Sequence, residues 1–93
     1  MIKTFGDKIT KTIYEGGNPK GVPSDLVRKV RVRLNQIAIA VTLGDLRIPP
    51  SNKLEPIKSV PGLYSIRVNQ QFRIVFRWSE AGAKDVQFCD YKH

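Results

Sequence analysis

Three kinds of side chain in this sequence could act together on a phosphodiester: a proton carrier, a set of cations and an aromatic ring. The only histidine, His93, is the residue type best suited to moving a proton near neutrality, with an ordinary pKa of about 6.5. It stands two residues beyond Tyr91, at the end of a segment that alternates apolar and polar side chains. Arg67, Arg73 and Arg77 fall in two earlier segments of the same kind, and Lys53 and Lys58 precede them. Scission of RNA without a metal requires a base for the 2′-hydroxyl, cations for the phosphorane charge and an acid for the leaving oxygen. Asp90-Tyr91-Lys92-His93, Arg73 and the Lys53/Lys58 pair are the groups able to supply those parts. Standing alone, a terminal histidine reads as an unstructured tail, so its neighbours carry the argument.

What is missing narrows the chemistry. Cys89 is the only cysteine, which excludes an intrachain disulfide and a cysteine-based zinc site. As a lone strand cysteine it reads as a small packing residue rather than a nucleophile. The eight carboxylates are scattered and form no metal-ligand pattern. The phosphate-binding P-loop, the dinucleotide glycine motif and the nucleophile elbow are all absent, so neither a metal nor a cofactor is expected. No apolar run approaches the ~18 residues of a membrane helix, and the opening residues lack a secretion signal. A cytoplasmic protein without membrane contact is the expectation. Sixteen Lys and Arg against eight Asp and Glu leave a net charge of +8. Such an excess repels itself in the folded state and suits an anionic partner, nucleic acid before acidic protein.

The elements that must position these groups follow from pattern. A chain of 93 residues fills one small core, so residues 1–93 are expected to form a single domain. Ile2 to Phe5 reads as a short edge strand. Asp7 caps a brief helix from Lys8 to Glu15 with Ile9 and Ile13 on its apolar side, ended by Gly16-Gly17. Ser24 caps the clearest helix, which runs to about Val41 with Leu26, Val30, Leu34, Ile37, Ala38 and Val41 as its stripe. Its opposite side carries Arg28, Lys29, Arg31 and Arg33, read as a solvated face or a dock for an acidic partner. Thr42 to Leu46 is one more helical turn or a capped corner. Arg47 to Asn52, with paired prolines, is expected to be irregular, and Lys53 to Val60 irregular or strand-like. Leu63–Val68, Phe72–Trp78 and Asp85–Tyr91 alternate with period two and are joined by short polar turns, which predicts an antiparallel meander.

Sorting those strands by parity gives two unlike faces. Tyr64, Ile66, Val68, Phe72, Ile74, Phe76, Trp78, Val86 and Phe88 form the side that packs on the helices. Ser65, Arg67, Arg73, Val75, Arg77, Asp85, Gln87, Cys89 and Tyr91 form the other. A wet face is needed anyway, but three arginines beside one acid and one aromatic suit RNA, whose phosphates fit guanidinium forks and whose bases stack on rings. On that wet face, Arg73→Ala is expected to disarm the protein with little effect on folding.

The segments Asn52-Lys53-Leu54-Glu55-Pro56-Ile57-Lys58 and Gly62 to Phe76, with the opening Met1-Ile2-Lys3-Thr4-Phe5 and the ending Asp90-Tyr91-Lys92-His93, resemble the HigB toxins of the RelE/ParE superfamily. The likeness covers essentially the whole chain, and Ser65 to Phe76 is its most specific part. The resemblance implies a RelE-like, microbial-RNase-like α+β fold with N-terminal helices on one face of a small antiparallel sheet. It implies a ribosome-dependent mRNA interferase, neutralised by a HigA-type helix-turn-helix antitoxin, with operator DNA reached only through that antitoxin. Carried over, Arg73 stabilises the transition-state phosphate, Tyr91 stacks or orients a base and His93 transfers a proton. Glu55 takes the place of a histidine common in the family, so a carboxylate becomes the proton-transfer group there, and Lys92 is inserted before His93. Lys58 is a phosphate contact, with Lys53, Arg67 and Arg77 as further RNA-binding residues. The alternative within the superfamily is a non-catalytic inhibitor of ParE type that binds a protein target such as DNA gyrase. An accessory RNA-binding module is a third reading.

Overall fold

The computed structural model describes residues 1–90. Its first helix, α1 (Lys8–Tyr14), starts where Asp7 accepts a hydrogen bond from the Thr10 amide at 2.8 Å. The cap is as expected from the sequence, but the buried face is not. Ile13 is buried while Ile9 is 45% exposed, and Thr10 is turned inward instead. The reason is a hydrogen bond: the Phe88 amide donates to Thr10 Oγ1 at 3.1 Å, tying α1 to the sheet.

Helix α2 (Ser24–Ile39) follows Pro23, which occupies the cap position, so Ser24 is the first helical residue rather than the cap. It buries Leu26, Val27, Val30, Leu34 and Ile37. The chain becomes extended at Ala40, so Val41, expected to be the last residue of the apolar stripe, lies beyond the helix and is 86% exposed. A 3-10 turn (Leu43–Arg47) comes next, held by a reciprocal cap between Thr42 and Asp45. The Asp45 carboxylate accepts from the amides of Val41 and Thr42 at 2.9 and 3.0 Å. Arg47 to Asn52 is more regular than its prolines imply, because Pro50–Asn52 forms a second 3-10 turn. Proline at the first position of such a turn loses no needed donor and has its φ already set. Asn52 is buried there, donating from Nδ2 to Gln36 Oε1 at 2.9 Å and to the Leu46 carbonyl at 3.2 Å.

The sheet has four antiparallel strands in sequence order: β1 (Glu55–Pro56), β2 (Leu63–Arg67), β3 (Phe72–Ser79) and β4 (Gly82–Asp90). This is the expected meander, with β4 starting three residues earlier than its alternation implied. The cause is a bulge. Val75 faces Gln87 but Arg77 faces Lys84, so β4 carries one extra residue between those pairs. Asp85 sits there with φ 53, in the left-handed region, and the pattern of alternation changes phase at that point. The opening segment runs alongside β4 in parallel through Ile2–Ala83 and Phe5–Val86 bridges, as an edge. Gly82, at φ 120, admits it closely, because a Cβ there would strike the Met1 carbonyl.

The two helices cover one face of this sheet. Ile66, Ile74, Phe76 and Val86 from the strands meet Ile13, Val27, Val30, Leu34 and Ile37 in one core. Each large apolar side chain buried in that layer contributes roughly 1.5–3 kcal/mol, which fixes the sheet register and with it the opposite face. The chain is thus an α+β fold with helices on one face of an antiparallel sheet.

Candidate functional site

On the face away from the helices, ladder partners set the arginines side by side. Arg67 pairs with Arg73, and Arg73 with Cys89. One step along, Glu55 pairs with Ser65, Ser65 with Val75 and Val75 with Gln87. A further step brings Leu63 against Arg77. All three arginines therefore occupy the face expected of them.

Arg73 is nonetheless not an open guanidinium. It is only 8% exposed, and Ser65 beneath it 1%. Arg73 Nε donates to Ser65 Oγ at 2.9 Å, and Nη2 donates to the Lys53 carbonyl at 2.7 Å. The side chain thus lies across β2, from β3 on one side to the segment before β1 on the other. Lys53 adopts a left-handed conformation, φ 45, as the chain leaves the 3-10 turn at Asn52. Parity correctly gives the direction of the Cβ; the long stem then folds over its neighbour strand. The result is a cation held in one orientation by a hydroxyl and a carbonyl.

The other named residues divide. Arg67 is half-buried and donates from Nε to the Asn69 carbonyl at 3.1 Å. The Lys53 side chain is exposed beside this group. Glu55 is exposed on β1, next to Ser65 in the ladder, and Lys58 is exposed on the turn that follows. Arg77 lies toward the far end of β3, where its Nε is 3.4 Å from Asp85 Oδ2. The bulge that points Asp85 there partly neutralises the third arginine. Tyr91, Lys92 and His93 lie outside the described residues.

The row of cations on α2 also separates into roles. Arg28 and Lys29 pair with Asp25 on the surface. Arg31 instead donates to the carbonyls of Ile13 and Gly17 at 2.8 and 2.6 Å, closing the end of α1. Arg33 Nε donates to the Arg67 carbonyl at 3.0 Å, joining the helix to the sheet end. Sequence spacing gave no sign of these last two bonds, or of Ser65 as the anchor of Arg73.

Burial pushes the Cys89 thiol above its usual range, with Asp90 and Asp7 adding to the shift and Arg73 opposing it. A protonated, half-buried thiol fits the packing role. Among the described residues, no cluster of three or more His, Cys, Asp or Glu side chains is placed to hold a metal ion. No helix among them is long and apolar enough to cross a membrane.

Residues 3–92 match a family described as RelE-like toxin of type II toxin-antitoxin system HigB. The chain belongs to the HigB-like toxin family. This HigB-like toxin is 32% identical over 95 residues to Toxin HigB-1 of Vibrio cholerae serotype O1, a match that covers 100% of each chain. It is 35% identical over 92 residues to Endoribonuclease HigB of Proteus vulgaris, covering 98% of this chain and 99% of that one. An uncharacterized protein of Haemophilus influenzae is 33% identical over 76 residues, 80% of this chain and 75% of that one. As a toxin of a type II toxin-antitoxin system, the HigB-like toxin has an antitoxin partner.

Proposed function

We propose that this HigB-like toxin is an endoribonuclease that cleaves messenger RNA on the ribosome, in the cytoplasm, and so arrests translation and growth. The observation that carries the reading is the Arg67–Arg73 ladder pair on the helix-free face, with Arg73 fixed by Ser65 and Lys53. Like charges directly opposite one another weaken a sheet, and withdrawing one of them from water costs more. A phosphate offsets both costs, because its oxygens accept from guanidinium groups already in place. The relative from Proteus vulgaris is named an endoribonuclease, which supports the same chemistry here.

In this reading the 2′-hydroxyl attacks the adjacent phosphorus while Glu55 takes its proton. Arg73 faces the charge that develops on the phosphorane oxygens. His93 returns a proton to the departing 5′-oxygen, and Tyr91 stacks the neighbouring base. Lys53, Lys58, Arg67 and Arg77 hold phosphates on either side. The products are a 2′,3′-cyclic phosphate and a 5′-hydroxyl. A HigA-type helix-turn-helix antitoxin restrains the toxin and carries the pair to operator DNA, which the toxin itself does not contact.

Inducing the toxin and mapping message ends in translating cells tests the proposal. Cuts within codons on translated messages are expected. Growth arrest with intact messages would refute scission, and inhibition of DNA supercoiling by the purified protein would then identify a ParE-like inhibitor.

A further inference from the structure

Beside the Arg73 group, at the end of the sheet, a cleft of about 330 Å³ opens between α2 and the β2–β3 hairpin. Its cationic lining is Lys29 and Arg33 from α2, Lys53, and Arg67 from β2, with Ser51 and Gln70 as polar neighbours. Lys29 and Arg33 are four residues apart on the helix and so share one side of it. Among the described residues, no carboxylate lines the cleft. Among the described residues, Asp25 is 3.4 Å from Lys29, and no ion pair engages Arg33, Lys53 or Arg67.

Two of these cations are held in place by the fold. Arg33 Nε donates to the Arg67 carbonyl, and Arg67 Nε to the Asn69 carbonyl. A helix, a strand and a turn therefore bring like charges into one concavity, where the potential is focused and an anion is attracted. The cleft also adjoins Arg73: Arg67 is its ladder partner and Lys53 supplies the carbonyl it donates to. An extended polyanion with one phosphate at Arg73 would have its next phosphates over the cleft.

We infer that this cleft is a phosphate subsite that grips the sugar-phosphate backbone of single-stranded RNA beside the scissile position, with Lys29 and Arg33 as its contacts on the helix. The inference rests on the nucleic-acid reading of this face but not on the scission step. Guanidinium forks match phosphate oxygens, and continuity with Arg73 favours one RNA strand over a separate acidic peptide. The subsite holds backbone and selects no base.

Binding of a 2′-O-methyl oligoribonucleotide, which lacks the attacking hydroxyl and is not cut, is measured with the full chain across a salt series. Each phosphate contact on a single strand contributes about 0.7 to the slope of log K against log salt, so Lys29→Gln with Arg33→Gln is expected to lower that slope by about 1.4. Lys11→Gln with Lys20→Gln removes equal charge from α1 and the loop after it, away from the cleft, and leaves the slope unchanged. Should Arg33→Gln melt the protein, Lys29→Gln with Lys53→Asn removes two cleft cations, keeps Arg33 on its carbonyl and suits the left-handed backbone. A slope equal to the parent's in the folded cleft variant overturns the inference. Loss of antitoxin co-purification with that slope unchanged does the same and assigns the cleft to the antitoxin. A parent that binds with the full slope yet cuts no message in cells defeats only the scission step.

Discussion

Replacing Arg73 by alanine should destabilise the toxin as well as disarm it. The substitution leaves Ser65 Oγ, in a residue 1% exposed, and the Lys53 carbonyl without the donor each now has. Hydrogen bonds to charged groups contribute about 1.5–3 kcal/mol, and a buried polar group left unpaired costs about 1–3 kcal/mol. Relief of repulsion with Arg67, directly opposite, returns roughly 0.2–1 kcal/mol. The net expectation is a loss of about 2 kcal/mol, which in a domain of this size lowers Tm by about 8–16 °C. Melting curves of the parent, Arg73→Ala, Ser65→Ala and the double variant close a thermodynamic cycle. A coupling of about 1 kcal/mol or more is expected for two residues in direct contact. If Arg73→Ala melts within about 0.5 kcal/mol of the parent, or if the two losses simply add, the guanidinium is not held as described. Its fixed orientation could then not be invoked for catalysis. Toxicity of any Arg73 variant should therefore be judged against its folded fraction, and Arg73→Lys, which keeps the charge but not the fork, separates charge from geometry.

Glu55→Gln, on an exposed strand position, should keep its Tm while slowing cleavage by roughly 10²–10⁴, the usual contribution of a general base; single-turnover assays on programmed ribosomes would measure it. The backbone amides of Thr42 and Val41 hold the Asp45 carboxyl below its ordinary 3.8. Its contribution to stability is thus full above that value and fades as pH falls through the lower folded value, so Asp45→Ala should lower Tm at neutral pH and converge with the parent only in stronger acid. Asp85→Val forces a β-branched side chain into the left-handed region and should cost about 1–2 kcal/mol more than Asp85→Gly, as denaturant titration would reveal. Because burial raises the Cys89 thiol above 9.0, its alkylation rate should still be climbing at that pH, and a plateau below it would contradict the described packing.

The period of α2 and the alternation of β2 and β3 carried most of the architecture. Leu26, Val30, Leu34 and Ile37, with Ile66, Ile74 and Phe76, are buried as their spacing requires. Three things lay beyond such patterns. Thr10 is buried in preference to Ile9 because a strand amide seventy-eight residues away needs an acceptor. The bulge at Asp85 depends on pairing with β3, and no local signal marks an aspartate as left-handed. Parity located Arg73 on its face but could not give the path of a flexible stem, which is set by where Ser65 and the Lys53 carbonyl lie. For the same reason Lys29 and Arg33 read as a solvated helix surface until the sheet end was seen beside them.

The pairing of the opening segment with β4 has a temporal consequence. The Asp85 amide donates to Thr4 Oγ1 across eighty-one residues, and the Lys3 amide to the Ala83 carbonyl across eighty. Residues 3–4 thus wait for residues 83–85 before they find their place, and contacts between such distant positions form slowly. A nascent chain whose β4 has not yet emerged has an unfinished sheet, so the toxin cannot take its working shape before Gly82–Asp90 are available to pair.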